Sequence, residues 1–196
     1  MSADPRPTRV VIAEDEAIIR LDLKELLQED GYDVVGETGR GDEAVELVRD
    51  LRPDLVILDI KMPGLDGLSA AREIAHDRLA AVLMVTAFSQ RELVEQARDA
   101  GALAYLVKPF QKSDLIPAIE VALGRFAELT SLERDVEDLQ SRLDARKSID
   151  RAKGRLMDEH AMSESDSWRF LQKNAMNSRR TIAQVARDVI DGSLTP

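Results

Sequence analysis

The chain has 196 residues, 44% hydrophobic and 33% charged, with a formal net charge of −10 and no cysteine. That length fits one large domain or a medium domain with a small companion. The lack of cysteine rules out a disulfide-stapled scaffold, and no apolar run approaches the length needed to span a bilayer. The polar start, Met1 to Pro7, lacks a signal-peptide core, so a cytoplasmic location is expected.

Charge is unevenly spread. Residues 147–196 hold nine Lys/Arg against seven Asp/Glu, whereas residues 1–146 hold 18 against 30. An acidic body followed by a slightly basic tail points to two jobs, with nucleic-acid binding one option for the tail.

From Arg9 to about Leu123, short apolar runs alternate with amphipathic stretches. The runs are Val10–Ala13, the weaker Tyr32–Glu37, Leu55–Leu58, Val82–Val85 and Ala104–Val107. Near-continuous Val, Ile and Leu predict strands buried on both faces of a parallel sheet. Gly31, Pro53, Gly67 and Gly101 punctuate the helices. Five βα units predict an α/β fold with a doubly wound five-stranded parallel sheet over residues 8–125.

Leu129, Leu132, Val136, Leu139 and Leu143 then step by three and four residues, a seam of about two heptads. They predict a helical coiled-coil stalk over 126–145 that continues the fifth helix and pairs weakly with its twin. Residues 146–192 read as three short helices. Ile149, Ala152 and Leu156 mark the first. A capping pattern at Ser163 and Asp166 starts the second, which carries Trp168, Leu171 and Ala175 on one face. Ile182, Val185, Ala186, Val189 and Ile190 stripe the third. Trp168 is expected in the core, and Gly154 to mark a close approach by another helix or by RNA.

Four strand ends carry polar residues suited to one task. Glu14 and Asp15 follow the first run, Asp59 closes the third, Thr86 ends the fourth, and Lys108-Pro109 follows the fifth. In open α/β sheets, ligands bind beyond the carboxyl ends of the strands. Crowded carboxylates repel unless a cation neutralises them, and a few hard oxygen ligands suit Mg²⁺. An ionised Asp can attack phosphorus to give an acyl phosphate.

The segments Ala13-Glu14-Asp15-Glu16, Leu58 to Gly67, Val85-Thr86-Ala87 and Val107-Lys108-Pro109-Phe110 resemble the receiver domain of two-component response regulators, a flavodoxin-like fold. The resemblance implies that Asp59 accepts phosphate from a sensor histidine kinase. It implies Mg²⁺ held by Asp15 and Asp59 directly, by Glu14 through water, and by the Lys61 backbone carbonyl. Lys108 would contact the phosphoryl group, Thr86 would move to hydrogen-bond it, and Tyr105 would couple to that move. The Lys108-Pro109 bond is expected to be cis. Many relatives carry two Asp where this chain has Glu14-Asp15; the longer acid keeps the charge. No enzymatic activity is expected beyond self-phosphotransfer and slow autodephosphorylation.

The tail, with Ala152-Lys153-Gly154-Arg155-Leu156-Met157, Met162-Ser163-Glu164, Leu171, Ala175-Met176 and Arg179, resembles the ANTAR domain. Ser167 stands where that family usually has Ala. The resemblance implies binding of RNA stem-loops and transcription antitermination, with a homodimer forming on phosphorylation. Lys147, Arg151 and Arg155 share a helical face, Lys153 flanks the apolar stripe, and Arg179 and Arg180 are expected in the first turn of the third tail helix. These six form the expected RNA surface. A DNA-binding output, a protein-only output and a metal-dependent phosphatase are the competing readings.

Overall fold

A computed structural model describes residues 6–196; residues 1–5, most of the polar start, lie outside the described residues. Five strands alternate with helices in chain order: β1 Arg9–Ala13, α1 Ala17–Glu29, β2 Asp33–Thr38, α2 Gly41–Leu51, β3 Leu55–Leu58, α3 Gly67–His76, β4 Ala81–Thr86, α4 Arg91–Asp99, β5 Ala104–Val107. Three helices follow: α5 Lys112–His160, α6 Glu164–Ser178 and α7 Ile182–Asp191. The chain divides into two compact units, Met1–Thr130 and Ser131–Pro196. The division falls within the segment read as a stalk.

The first unit is the expected doubly wound sheet, all parallel, in the order β2-β1-β3-β4-β5. Alternate residues of a strand point to opposite faces and both faces are covered, which explains why β3 and β4 are almost wholly apolar. Val11, Ala13, Val56, Leu58, Val82 and Met84 face a core with α2 and α3 residues such as Val48 and Ile74. Val10, Ile12, Leu55, Ile57, Leu83 and Val85 face the opposite core, with Leu23 and Leu27 of α1 and Leu115 and Ile119 of α5. Each such side chain removed from water contributes roughly 1.5–3 kcal/mol. Strand order reverses between β1 and β3, which opens a crevice at their carboxyl ends.

Gly67 closes that end of the sheet. Its amide donates to the Ile60 carbonyl at 2.9 Å. A Cβ there would run into the Asp59 backbone carbonyl, so only glycine lets α3 start this close to β3.

In the second unit, Ala152 and Leu156 of α5, Leu171 and Ala175 of α6, and Val185, Ala186 and Val189 of α7 form one core. The Ser163 hydroxyl caps α6 by accepting from the Asp166 amide at 3.1 Å. Three expectations need correction. The first tail helix is not separate: α5 runs unbroken from Lys112 to His160, because no Pro or paired Gly interrupts residues 125–160. Trp168 is 41% exposed. The buried positions of α6 are Ser167, Leu171 and Ala175, and the Ser167 hydroxyl is satisfied by the Ser163 carbonyl at 2.9 Å. Gly154 has open space where a Cβ would stand, so the helix half of that expectation fails: no helix among the described residues approaches it.

Leu129, Leu132, Val136, Leu139 and Leu143 are all exposed on α5. No helix of the described residues is long and apolar enough to cross a membrane.

Candidate functional site

The sheet hydrogen bonds set the acidic residues in place. The Asp59 amide donates to the Ala13 carbonyl at 2.9 Å, the Glu14 amide to Thr38 at 3.0 Å, and the Lys108 amide to Thr86 at 2.8 Å. Each of these residues is therefore fixed by the strand beside it, just past the last apolar layer. One carboxylate oxygen each from Glu14, Asp15 and Asp59 lies within 4.8 Å of the others. Glu14 and Asp59 are buried and Asp15 is exposed.

Lys108 neutralises part of this charge. Its Nζ lies 2.6 Å from Glu14 Oε2 and 3.0 Å from Asp59 Oδ2. The other Asp59 oxygen, Oδ1, accepts from the Ile60 amide at 2.6 Å. Desolvation by burial holds the Glu14 carboxyl above its usual range, with Lys108 pulling it down and Asp59 pushing it up. Burial pulls the Lys108 ammonium down, and Glu14 and Asp59 more than offset this, leaving it above its usual value.

The Lys108–Glu14 contact is short yet badly aligned for a hydrogen bond, and Glu14 Oε2 is a buried oxygen without a directed donor. We read it as an ion pair that leaves a lone pair for a cation. Three carboxylates against one ammonium leave a net charge of −2, and all the donors are hard oxygens. The residues present fit one Mg²⁺. An open depression of about 800 Å³ adjoins them, lined by Asp15, Lys61, Met62, Asp66 and Arg72 among others.

Thr86 is fully buried at the end of β4, and its Oγ1 accepts from the Phe88 amide at 3.4 Å. The Tyr105 hydroxyl donates to the Phe88 carbonyl at 2.5 Å. Burial, with the charge of Asp59 behind it, holds that phenol above its usual value. The Lys108-Pro109 bond is cis. Phe88 escaped the sequence reading: besides holding Tyr105, its ring lies 4.4 Å beneath the Lys61 ammonium. No local motif marks it, because its role arises only where the loops after β3 and β4 meet.

The expected RNA residues fare unevenly. Lys147 is exposed, 3.7 Å from Asp144. Arg151 and Arg179 are exposed, and their side chains have no hydrogen-bond or ion-pair partner among the described residues. Lys153 is held by Glu164 at 3.0 Å and Asp150 at 3.3 Å. Arg155 binds Glu159 at 2.9 Å and donates to the Ile190 carbonyl, tying the end of α7 to α5.

Arg179 and Arg180 are not in the first turn of α7. Arg179 is the C-cap of α6, in the left-handed region at φ 53°, and Thr181 is the N-cap of α7. Thr181 and Gln184 form a reciprocal capping box, their bonds 3.2 and 2.9 Å. That Thr-x-x-Gln pattern was the sequence signal for the true boundary. Arg180 makes a two-pronged contact with Asp188 at 2.6 and 3.1 Å.

Comparison with known proteins finds two families along the chain. Residues 10–120 match the response regulator receiver domain and residues 137–190 the ANTAR domain. The transcriptional regulatory protein PdtaR of Mycobacterium tuberculosis H37Rv is 57% identical over 190 residues, covering 97% of this chain and 93% of that one. Among solved structures, the response regulator domain of Thermotoga maritima CheB matches with a TM-score of 0.56 at 29% identity, covering 61% of this chain and 98% of that one. The Borrelia burgdorferi CheX–CheY–BeF3–Mg complex matches with a TM-score of 0.55 at 27% identity, covering 58% and 87%. The chain belongs to the response-regulator family, joining a receiver domain to an ANTAR domain.

Proposed function

We propose that Asp59 accepts a phosphoryl group from a sensor histidine kinase and that this controls binding of RNA hairpins by the tail, giving transcription antitermination. The carrying observation is Asp59 at the crevice, with Lys108 on one oxygen and Glu14 and Asp15 beside it. One Asp59 carboxylate oxygen attacks phosphorus, the P–N bond of the phosphohistidine breaks, and the imidazole nitrogen leaves with the electron pair. Lys108 holds the phosphoryl oxygens by charge. Thr86 donates its hydroxyl to one of them, and Tyr105 follows into the space Thr86 vacates. Asp15, Asp59, Glu14 and the Lys61 carbonyl would hold Mg²⁺, which would supply positive charge against the transferring group. The chain turns over no other substrate in this reading.

The exposed seam from Leu129 to Leu143 supports pairing with a second copy. Two tails held together raise effective concentration, by up to ~10²–10⁴ in favourable geometry. A DNA-reading α7 has less support. Of the polar side chains α7 would offer to base edges, Thr181, Gln184 and Arg187, the first two are engaged in the helix's own cap. A cytoplasmic location follows from this reading.

Acetyl phosphate or beryllofluoride with Mg²⁺ should modify the wild type and not Asp59→Asn. Equal labelling of both sinks the assignment. Hairpin RNA should bind more tightly to the beryllofluoride-loaded protein and outcompete duplex DNA.

A further inference from the structure

The outer face of α6 is unlike the rest of the molecule. Trp168, Arg169, Gln172, Lys173, Met176 and Asn177 are all exposed along it, with Met176 at 74% exposure. A shallow cavity of about 390 Å³ is lined by Arg169, Gln172, Lys173, Met176 and Asn177. Residues 167–187 contain five Lys/Arg and no Asp or Glu, in a chain whose net charge is −10. Leaving the only tryptophan on such a face wastes its burial energy unless something covers it. Arg179 ends the same helix at φ 53°, a left-handed conformation that strains a non-glycine residue.

From these features we infer that the outer face of α6 holds unpaired RNA bases, with Trp168 as the stacking surface. Lys173, Arg179 and Arg169 hold the flanking phosphates; Arg169 also lies 3.3 Å from Asp166. The inference rests on the RNA-binding reading above and gives it a location. Loops and bulges splay bases that a duplex conceals, and aromatic rings capture them with little regard to sequence. A face on which cations outnumber acids, Asp166 at its edge being the acid beside Arg169, favours a polyanion over an apolar protein surface.

Trp168 is its own reporter. The full chain, loaded with Mg²⁺ and beryllofluoride, is titrated with two probes: a pool of RNA hairpins with one stem and a randomised loop, and the same stem closed as a blunt duplex. The hairpin pool should quench the tryptophan emission and the duplex should not. Trp168→Ala should weaken hairpin binding by roughly 5- to 150-fold, the range for one lost stack, and Trp168→Phe by less. Arg179→Gly should raise the thermal midpoint by relieving the left-handed position, yet weaken binding and lower the salt slope by about one. Equal affinity of Trp168→Ala and wild type overturns the α6 inference and leaves RNA binding elsewhere on the tail intact. Failure of the wild type to bind the hairpin pool overturns both. A loss of RNA-free dimer in Trp168→Ala overturns it too, by making the face a contact between copies.

Discussion

Lys108 reaches Glu14 at 2.6 Å and Asp59 at 3.0 Å, so one ammonium answers two buried carboxylates. Desolvation holds the Glu14 carboxyl above its usual value of 4.5. The sign follows: its contribution to stability is complete below that value and is lost as pH rises through the raised one. Above that raised value the ionised Glu14 therefore burdens the cation-free fold. Glu14→Gln should unfold at the same or a higher temperature than wild type in EDTA, while Mg²⁺ stabilises it less. Thermal melts with and without Mg²⁺ check both halves. A variant that melts lower in EDTA yet gains the full Mg²⁺ shift contradicts this reading.

Gly67 and Gly154 should respond oppositely to alanine. A Cβ at Gly67 meets the Asp59 carbonyl, and overpacking of this kind costs roughly 1–3 kcal/mol. Gly67→Ala should destabilise the receiver unit and slow labelling of Asp59. Gly154 lies inside α5 with open space around it, so Gly154→Ala should stabilise the tail by about 0.5–1 kcal/mol. Urea unfolding gives both values.

The chain has two tyrosines. Burial, then the hydrogen bond from its hydroxyl to Glu120 at 3.0 Å, pushes the Tyr32 phenol up to about 12. Its stabilising contribution should be complete below pH 10 and decline as pH rises towards 12. In Tyr105→Phe, absorbance at alkaline pH should titrate the remaining phenol near that value. Titration at 10 would mean that neither the burial nor the Glu120 contact holds in solution.

Seam residues on α5 are bordered by like charges. With Leu129, Val136 and Leu143 at a positions, parallel pairing brings Glu128 opposite Glu133 of the second copy and Arg142 opposite Lys147. Pairing should be weak by itself and depend on the receivers. Leu139→Lys should abolish the beryllofluoride-dependent dimer, and Glu133→Lys should strengthen it, as read by sedimentation. Strengthening of parallel pairing is checked by cysteine cross-linking near residue 136.

Arg179 and Arg180 should separate binding from folding. Arg180 is committed to Asp188, whose carboxyl it holds below the usual range, whereas Arg179 has no such partner among the described residues. Arg180→Ala should lower the melting temperature of the tail. Arg179→Ala should leave the melt nearly unchanged and weaken hairpin binding; unchanged binding removes Arg179 from the RNA surface.

The receiver site was legible because a doubly buried strand is an unbroken apolar run, and the first polar residue beyond it stands out. Glu14, Asp59, Thr86 and Lys108 all announce themselves this way. Trp168 did not, because its i+3 spacing to Leu171 is compatible with either side of the stripe. Only packing against α5 and α7 decided that Ser167 takes the inner position. Arg179 misled for another reason: a left-handed arginine closes α6, and no residue preference marks that stop.

Sequence alone determined the five βα units, the ring of acids and the lysine that answers them, and the two-domain order, since each is written in local period and spacing. Tertiary structure decided what spacing cannot encode. It set Phe88 under Lys61 and against Tyr105, bound Arg155 and Arg180 into the tail's own frame, and left Trp168 partly exposed. These depend on which surfaces meet across distant segments, and a helix or loop carries no record of its neighbour until the chain has packed.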